Sequence, residues 1–370
     1  MESSAHFETP DLYDRLRSFT GKDLKAEFFS HTLNFIKPGK TSRGTLSQRK
    51  VFYLKVWEAE NSELYGLGEA APLSGLSLES EDDCAASLRL LTADISQWEH
   101  YLFTENVLPR SVVFALEQAI LDLREGGRRV LFPSKFTEGR EVVQINGLIW
   151  MGEPEYQLSQ INRLLTEGFT SLKLKIGAGD WREELKLIKH LRANFGPEEL
   201  GLRLDANGAY SPRQALEVLE DLAPFGIHSI EQPIRTGQWE EMAWLCRESP
   251  VPIALDEELI SCPLSDAEEM IQEVLPHYLI FKPSLIGGFQ ASESWITLAE
   301  GLGIGWWVTS SLESNLGLNA LTQWTFTLQN PVPQGLGTGQ VFANNVEGWL
   351  EREGEFLRIN PKMKWDFPFA

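Results

Sequence analysis

SLKLKIG at 171–177, LRLDANG at 202–208, SIEQPI at 229–234, IALDEE at 253–258, LIFKPS at 279–284 and WWVTSS at 306–311 are six short strand-like runs, each ending in charged or hydroxyl side chains. The polar ends are Lys173 and Lys175, Asp205 and Asn207, Glu231, Asp256, Lys282, and Ser310 and Ser311. They follow one another at intervals of 25 to 30 residues. One strand plus one helix occupies roughly 30 residues when eight such units close a barrel of about 250. Polar groups recurring at the carboxyl ends of successive parallel strands converge at one mouth. The spacing therefore predicts an α/β fold, a TIM-like (β/α) barrel, with its site at that mouth.

Outward from these runs, VVQINGLIW (142–150) and QGLGTG (334–339) supply the first and last strands. Asp180-x-x-Glu183, Ser211-Pro212-x-Gln214 and Ser265-x-x-Glu268 read as helix starts, with a capping side chain and a carboxylate or amide three residues on. Before about residue 140 the pattern differs. LKAEFFSHTLNFI (24–36), a turn at Pro38-Gly39 and VFYLKVWEA (51–59) read as a hairpin. GLGEAAPLSGLS (66–77) reads as a loop, Ser80 opens a helix with Glu81, Asp82 and Asp83 in its first turn, and 111–125 forms another. The expected organisation is an N-terminal α+β capping domain over 1–135 and a modified (β/α)7β barrel over 136–340. A C-terminal segment, 341–370, either rejoins the front domain or closes the barrel.

Apolar content of 42% with 23% charged residues is ordinary for a globular chain of 370 residues. No apolar run reaches membrane-spanning length, and the start MESSAHFETPDLYD resembles neither a signal nor a transit peptide. Cys84, Cys246 and Cys262 lack metal-ligand or redox spacing, which predicts buried free thiols in a reducing cytoplasm. A net charge of −20 repels nucleic acid and anionic membrane. It leaves room for a small anionic carboxylate substrate, because lysines and a bound cation reverse the sign locally. Monomer and homo-oligomer are both compatible with the sequence. GLGTG has neither a P-loop lysine nor Rossmann spacing and reads as a turn; Trp306-Trp307 reads as packing. Thr41-Ser42-Arg43 and Ser74-Gly75 read as front-domain loops over the mouth.

Asp205, Glu231 and Asp256 on three consecutive strand ends make a hard oxygen site suited to Mg²⁺, with Mn²⁺ the alternative. A single carboxylate there would read as a helix cap; three in register would repel one another heavily without a cation. Lys173 and Lys175, two apart, point to one side of their strand. Lys282 lies one unit beyond the last acid, so a lysine stands on each side of the acids, as proton transfer at carbon requires. An ordinary lysine titrates near 10.4, leaving about 0.1% free base near neutrality. Lowering that to about 7–8 corresponds to roughly 4 kcal/mol, and Lys173 beside Lys175 is a source of it.

KLK (173–175), DANG (205–208), EQP (231–233), DE (256–257), KPS (282–284) and GEAAPLSG (68–75) resemble the enolase superfamily in its muconate-lactonizing branch. The resemblance implies a Mg²⁺ site at Asp205, Glu231 and Asp256, Lys175 as acid/base with Lys173 its neighbour, Lys282 on the opposite side, and Asn207 as a substrate or supporting hydrogen-bond group. SSLESNLGLNAL (310–321) is similar to the corresponding stretch of the o-succinylbenzoate synthases of menaquinone synthesis. Dipeptide epimerases carry Asp-x-Asp at the eighth strand, whereas GLGTGQ (335–340) has no acid. A mandelate-racemase-like site needs a late-strand histidine; His277 precedes the sixth strand instead. The implied reaction is a lyase step, the syn dehydration of 2-succinyl-6-hydroxy-2,4-cyclohexadiene-1-carboxylate, with Ser310, Ser311 and the Gly287-Gly288 backbone receiving the succinyl end. The competing expectations are N-acylamino acid racemisation or dipeptide epimerisation and, from another class, a barrel that binds a carboxylate without turnover.

Overall fold

The computed structural model describes residues 12–41, 44–104 and 106–368. Helix α1 (Leu12–Arg17) leads into an antiparallel sheet of β1 (Leu24–Thr41), β2 (Gly44–Glu58) and β3 (Asn61–Ala70), in that order. The expected turn at Pro38-Gly39 is not where the hairpin reverses. Both residues lie inside β1, where the register shifts between Asn34 and Gly39. Because β1 is the edge of this sheet, a proline without N–H is tolerated there. The expected 66–77 loop is also shorter than its composition suggests, since β3 runs through Gly66 and Gly68. A Cβ on Gly68 would stand 1.9 Å from the Ala115 carbonyl oxygen. Those glycines serve close approach of a helix, not a turn.

That helix is α4 (Arg110–Arg124), which follows α2 (Glu81–Ala93) and α3 (Trp98–Phe103). Ser80 caps α2 as expected: its Oγ accepts from Asp83 N while the Asp83 carboxylate accepts from Ser80 N. Helix α4 is buried on nearly every side, with Phe114, Leu116, Ile120 and Leu121 fully enclosed, because it is wedged between the front sheet and the barrel.

The predicted 142–150 strand splits into β4 (Val143–Gln144) and β5 (Gly147–Ile149). Alternating units follow: α5 (Pro154–Thr166), β6 (Ser171–Lys175), α6 (Trp181–Asn194), β7 (Gly201–Asp205), α7 (Pro212–Leu222), β8 (Ser229–Glu231), α8 (Trp239–Glu248) and β9 (Ile253–Leu255). The short α9 (Glu257–Ser261), α10 (Ala267–Val274), β10 (Tyr278–Phe281), the single turn α11 (Pro283–Ile286), α12 (Gly288–Gly301), β11 (Gly305–Val308) and α13 (Asn315–Thr327) complete the set. Strands β5 to β11 form one seven-stranded sheet in chain order, all parallel. The expected eighth strand is reduced to two parallel bridges, Ile145 with Gln334 and Thr309 with Gly335, which close the circle between β11 and the start of β5. Pro331 and Pro333 have no N–H to extend that ladder.

Of the three expected helix starts, Ser211 and Gln214 form the reciprocal box, and Asp180 accepts from Arg182 N. The third does not form. Leu264–Asp266 is a 3₁₀ turn, α10 starts at Ala267, and Ser265 Oγ bonds the Asp266 carboxylate instead. The C-terminal segment meets the front sheet and then forms a small sheet of its own with β4, apart from the barrel sheet. Val341 O accepts from Ile36 N and Ala343 N donates to Asn34 O on β1. The hairpin of β12 (Leu350–Glu353) and β13 (Phe356–Ile359) then pairs with β4. One apolar cluster runs continuously from α1 and α4 through the barrel strands and helices.

Candidate active site

Strand pairing sets the site. Lys175 is the register partner of Asp205, and Asp205 of Glu231; Asp256 directly follows β9 and Lys282 directly follows β10. In a parallel sheet those positions share one rim, and alternation turns Lys173 and Lys175 inward together. Lys173 Nζ donates to both Glu231 oxygens, at 2.7 and 2.5 Å, and lies 2.9 Å from Asp205 Oδ2. Lys175 Nζ donates to Asp205 Oδ2 and to Asn207 Oδ1, each at 2.7 Å. Lys282 is ion-paired to Asp256 Oδ2. Asp205, Glu231 and Asp256 are all but sealed from solvent.

Burial by itself would raise the carboxylates and lower the amines; pairing decides the outcome. Asp205 is held well below the usual carboxylate range because Lys173 and Lys175 outweigh its burial. Asp256 is lowered likewise by Lys282. Lys173 is raised, its burial offset by Asp205, Glu231 and Asp256, so it is an ammonium. Glu231 is pushed up by burial and next by Asp205. Of the three acids, the lysines hold Asp205 and Asp256 in their charged forms, and Glu231 alone is pushed the other way.

Above the rim lies a cavity of about 350 Å³. Lys173, Lys175, Asn207 and Lys282 form its floor, together with Glu257. One wall is neutral and polar, from Thr309, Ser310, Ser311, Gly335, Gly337 and Thr338. The other is apolar, from Leu148 and Trp150 of the barrel and from Leu46, Leu73, Leu76 and Leu312. Ser74 and Gly75 line the cavity, as the front-loop reading expected. Ser42 and Arg43 lie outside the described residues, but the neighbouring Gly44 and Thr45 also line it.

One sequence expectation needs correction. Gly287 and Gly288 are not at this cavity: they begin α12, where Gly288 abuts the Glu117 carboxylate and Phe289 N and Gln290 N donate to it. A front-domain acid already fills that helix start, leaving no room for a substrate carboxylate. Ser310 and Ser311 do line the cavity, but both hydroxyls donate to the buried Glu313, which also accepts from Ser284. Their side chains build the wall. The apolar wall and Glu257 are not legible in the sequence: the leucines carry no chemical signature, and the DE pair points to a role for Asp256 alone. His277 sits before β10, its Nδ1 accepting from Ile253 N, and the Trp307 ring stacks on Arg203.

The donor set suits a hard divalent cation, being all carboxylate oxygen. Asp256 Oδ1 is buried and, among the described residues, has no hydrogen-bond partner. Nor, among the described residues, do three His, Cys, Asp or Glu side chains stand gathered to hold an ion. The Lys173 ammonium is seated between Asp205 and Glu231 instead. The residues fit the group chemically, with lysine charge now meeting theirs.

A seven-stranded parallel barrel with a capping α+β domain and acids and lysines on its strand ends defines a class, and residues 158–361 match the Enolase C-terminal domain-like family. The chain belongs to the enolase superfamily. It is 42% identical over 360 residues to the o-succinylbenzoate synthase of Desulfotalea psychrophila, covering 89% of this chain and 97% of that protein. The crystal structure of MenC from Desulfotalea psychrophila superposes with a TM-score of 0.82 at 38% identity, covering 91% of this chain and all of that one. A dipeptide epimerase from Enterococcus faecalis, complexed with Mg and L-Leu-L-Tyr, shares the fold with a TM-score of 0.79 at 19% identity, over 91% of this chain and 97% of that one. The chain is an enzyme of the o-succinylbenzoate synthase-like kind, a carbon–oxygen lyase acting on a small molecule. Among the described residues no helix is long and apolar enough to cross a membrane, and all three cysteines are buried free thiols.

Proposed function

We propose that the enzyme dehydrates 2-succinyl-6-hydroxy-2,4-cyclohexadiene-1-carboxylate to o-succinylbenzoate, a step of menaquinone synthesis in the cytoplasm. The observation that carries this reading is that Lys175 and Lys282 line one cavity whose floor borders Asp205, Glu231 and Asp256. Lys175 removes the proton α to the ring carboxylate. The same amine, now protonated, returns its proton to the departing hydroxyl on the same face, which makes the elimination syn. Lys282, kept charged by Asp256, stabilises the developing negative charge and faces the ring. Asp205, Glu231 and Asp256 would hold Mg²⁺, which when bound supplies Lewis-acid stabilisation of the substrate carboxylate. Mg in the dipeptide epimerase of the same fold supports that assignment.

The choice among reactions rests on the eighth segment. Gly335, Gly337 and Thr338 reach the cavity and bring no acid to hold an α-ammonium. Leu148, Trp150 and Leu73 suit an alicyclic ring. Two lysines bordering one cavity also suit N-acylamino acid racemisation, the activity in the name of a 28% identical N-succinylamino acid racemase from Amycolatopsis. Deuterium exchange at the α-carbon of N-succinyl amino acids separates the two: exchange faster than dehydration would replace the lyase reading. The direct test follows aromatic product by ultraviolet absorbance, with and without chelator. No product from the cyclohexadiene substrate would end the proposal.

A further inference from the structure

Asn207 lies between an ammonium and a carboxylate. Its Oδ1 accepts from Lys175 Nζ at 2.7 Å, and its Nδ2 donates to Glu257 Oε1 at 2.8 Å. An ammonium only donates and a carboxylate only accepts, so the amide has a single orientation that satisfies both. Glu257 is buried, at 4% exposure, and begins α9 immediately after Asp256. It thus binds a side chain from the end of β7 to the end of β9. We infer that Glu257 is a positioning residue: by fixing the Asn207 amide, it aims the Lys175 amine at the substrate carbon. This rests on the reading of Lys175 as the base.

The chain of contacts makes a reciprocal test possible. Asn207→Asp sets two carboxylates against each other, which turns the oxygen that accepts from Lys175 out of its alignment and adds a charge that holds the ammonium more tightly. Glu257→Gln in that background restores one donor and one acceptor between the pair. We expect kcat to fall about 100-fold in Asn207→Asp and to recover about tenfold in the double variant, with KM moving less than about threefold. Glu257→Leu, which removes the acceptor, should lower kcat about tenfold at nearly constant KM. A residue that only supports the fold would lower thermal stability without this rescue. Active wild type with a double variant no better than Asn207→Asp overturns the positioning role alone. Wild type that makes no aromatic product overturns the lyase reading and the role built on it. If Glu257→Leu fails to fold, the near-isosteric pair still decides.

Discussion

Lys173 and Lys175 stand two residues apart, yet their surroundings make them different reagents. Lys173 is locked between Glu231 and Asp205, while Lys175 shares Asp205 with Lys173 and turns its other bond to a neutral amide. An amine held by one amide and one shared carboxylate is more readily released toward substrate than one clamped by two acids. Lys175→Ala should lower kcat at least about 10³-fold, with folding intact by circular dichroism. Unchanged turnover in this variant would exclude it as the base. At Glu231, burial and then the neighbouring Asp205 hold the carboxyl well above its usual range despite the Lys173 ammonium on both its oxygens. Ligand binding to the native state stabilises it in proportion to log concentration. Millimolar Mg²⁺ should therefore raise the melting temperature of wild type, and Glu231→Gln should abolish most of that rise. Scanning calorimetry with and without chelator reads this directly, independent of activity.

Elements show where local sequence decides and where tertiary contact does. Gly68 is in β3 because α4 lies against it, and the Ala115 carbonyl would meet any added Cβ at 1.9 Å. The contact is backbone, so neither partner has a rotamer to yield. Gly68→Ala should cost about 3 kcal/mol or more, read as a lower urea midpoint, and a shift under 1 kcal/mol would show that the helix moves freely. The same contact explains why GLGEAAPLSGLS misled as a loop: glycine punctuates turns and close packing alike, and only the partner helix tells them apart. The barrel itself was legible because its strands end in chemistry. Asp205, Glu231 and Lys282 are polar strand ends recurring at a regular interval, and apolar runs such as LIF precede them. Ser265 was misread because its hydroxyl had a nearer acceptor in Asp266, and the Gly287-Gly288 turn because Glu117 reaches it from a different domain. Neither partner lies within the local window that a motif spans. The neutral wall at 335–338 was legible as an absence of acid, whereas the leucines of the opposite wall meet only through domain docking.

On the scale of the whole molecule, front domain and barrel are joined by buried acids at helix starts. Glu117 of α4 accepts from Phe289 N and Gln290 N at the start of α12, and Glu69 of β3 accepts from Ser314 N and Gly317 N at the start of α13. A carboxylate is favoured at a helix N-terminus, where unpaired N–H groups converge. Here burial outweighs that preference, raising Glu69 to about 7 and Glu117 to about 8. An acid whose folded-state value is raised binds a proton in the folded chain that the unfolded chain has already released. Stability is then greatest below the unfolded value, near 4.5, and declines as pH rises toward the folded values. Each such proton contributes a slope of at most roughly 1.4 kcal/mol per pH unit. Urea unfolding at fixed salt should show stability falling between pH 6 and pH 8. The other ionisable groups are common to wild type and Glu117→Gln, so their difference isolates one interface. The variant should start lower at pH 6, having lost one helix-start acceptor, and fall less steeply toward pH 8. Parallel pH dependences in the two proteins would mean that Glu117 is ionised throughout, and that the domains are clamped by charge rather than by a shared proton.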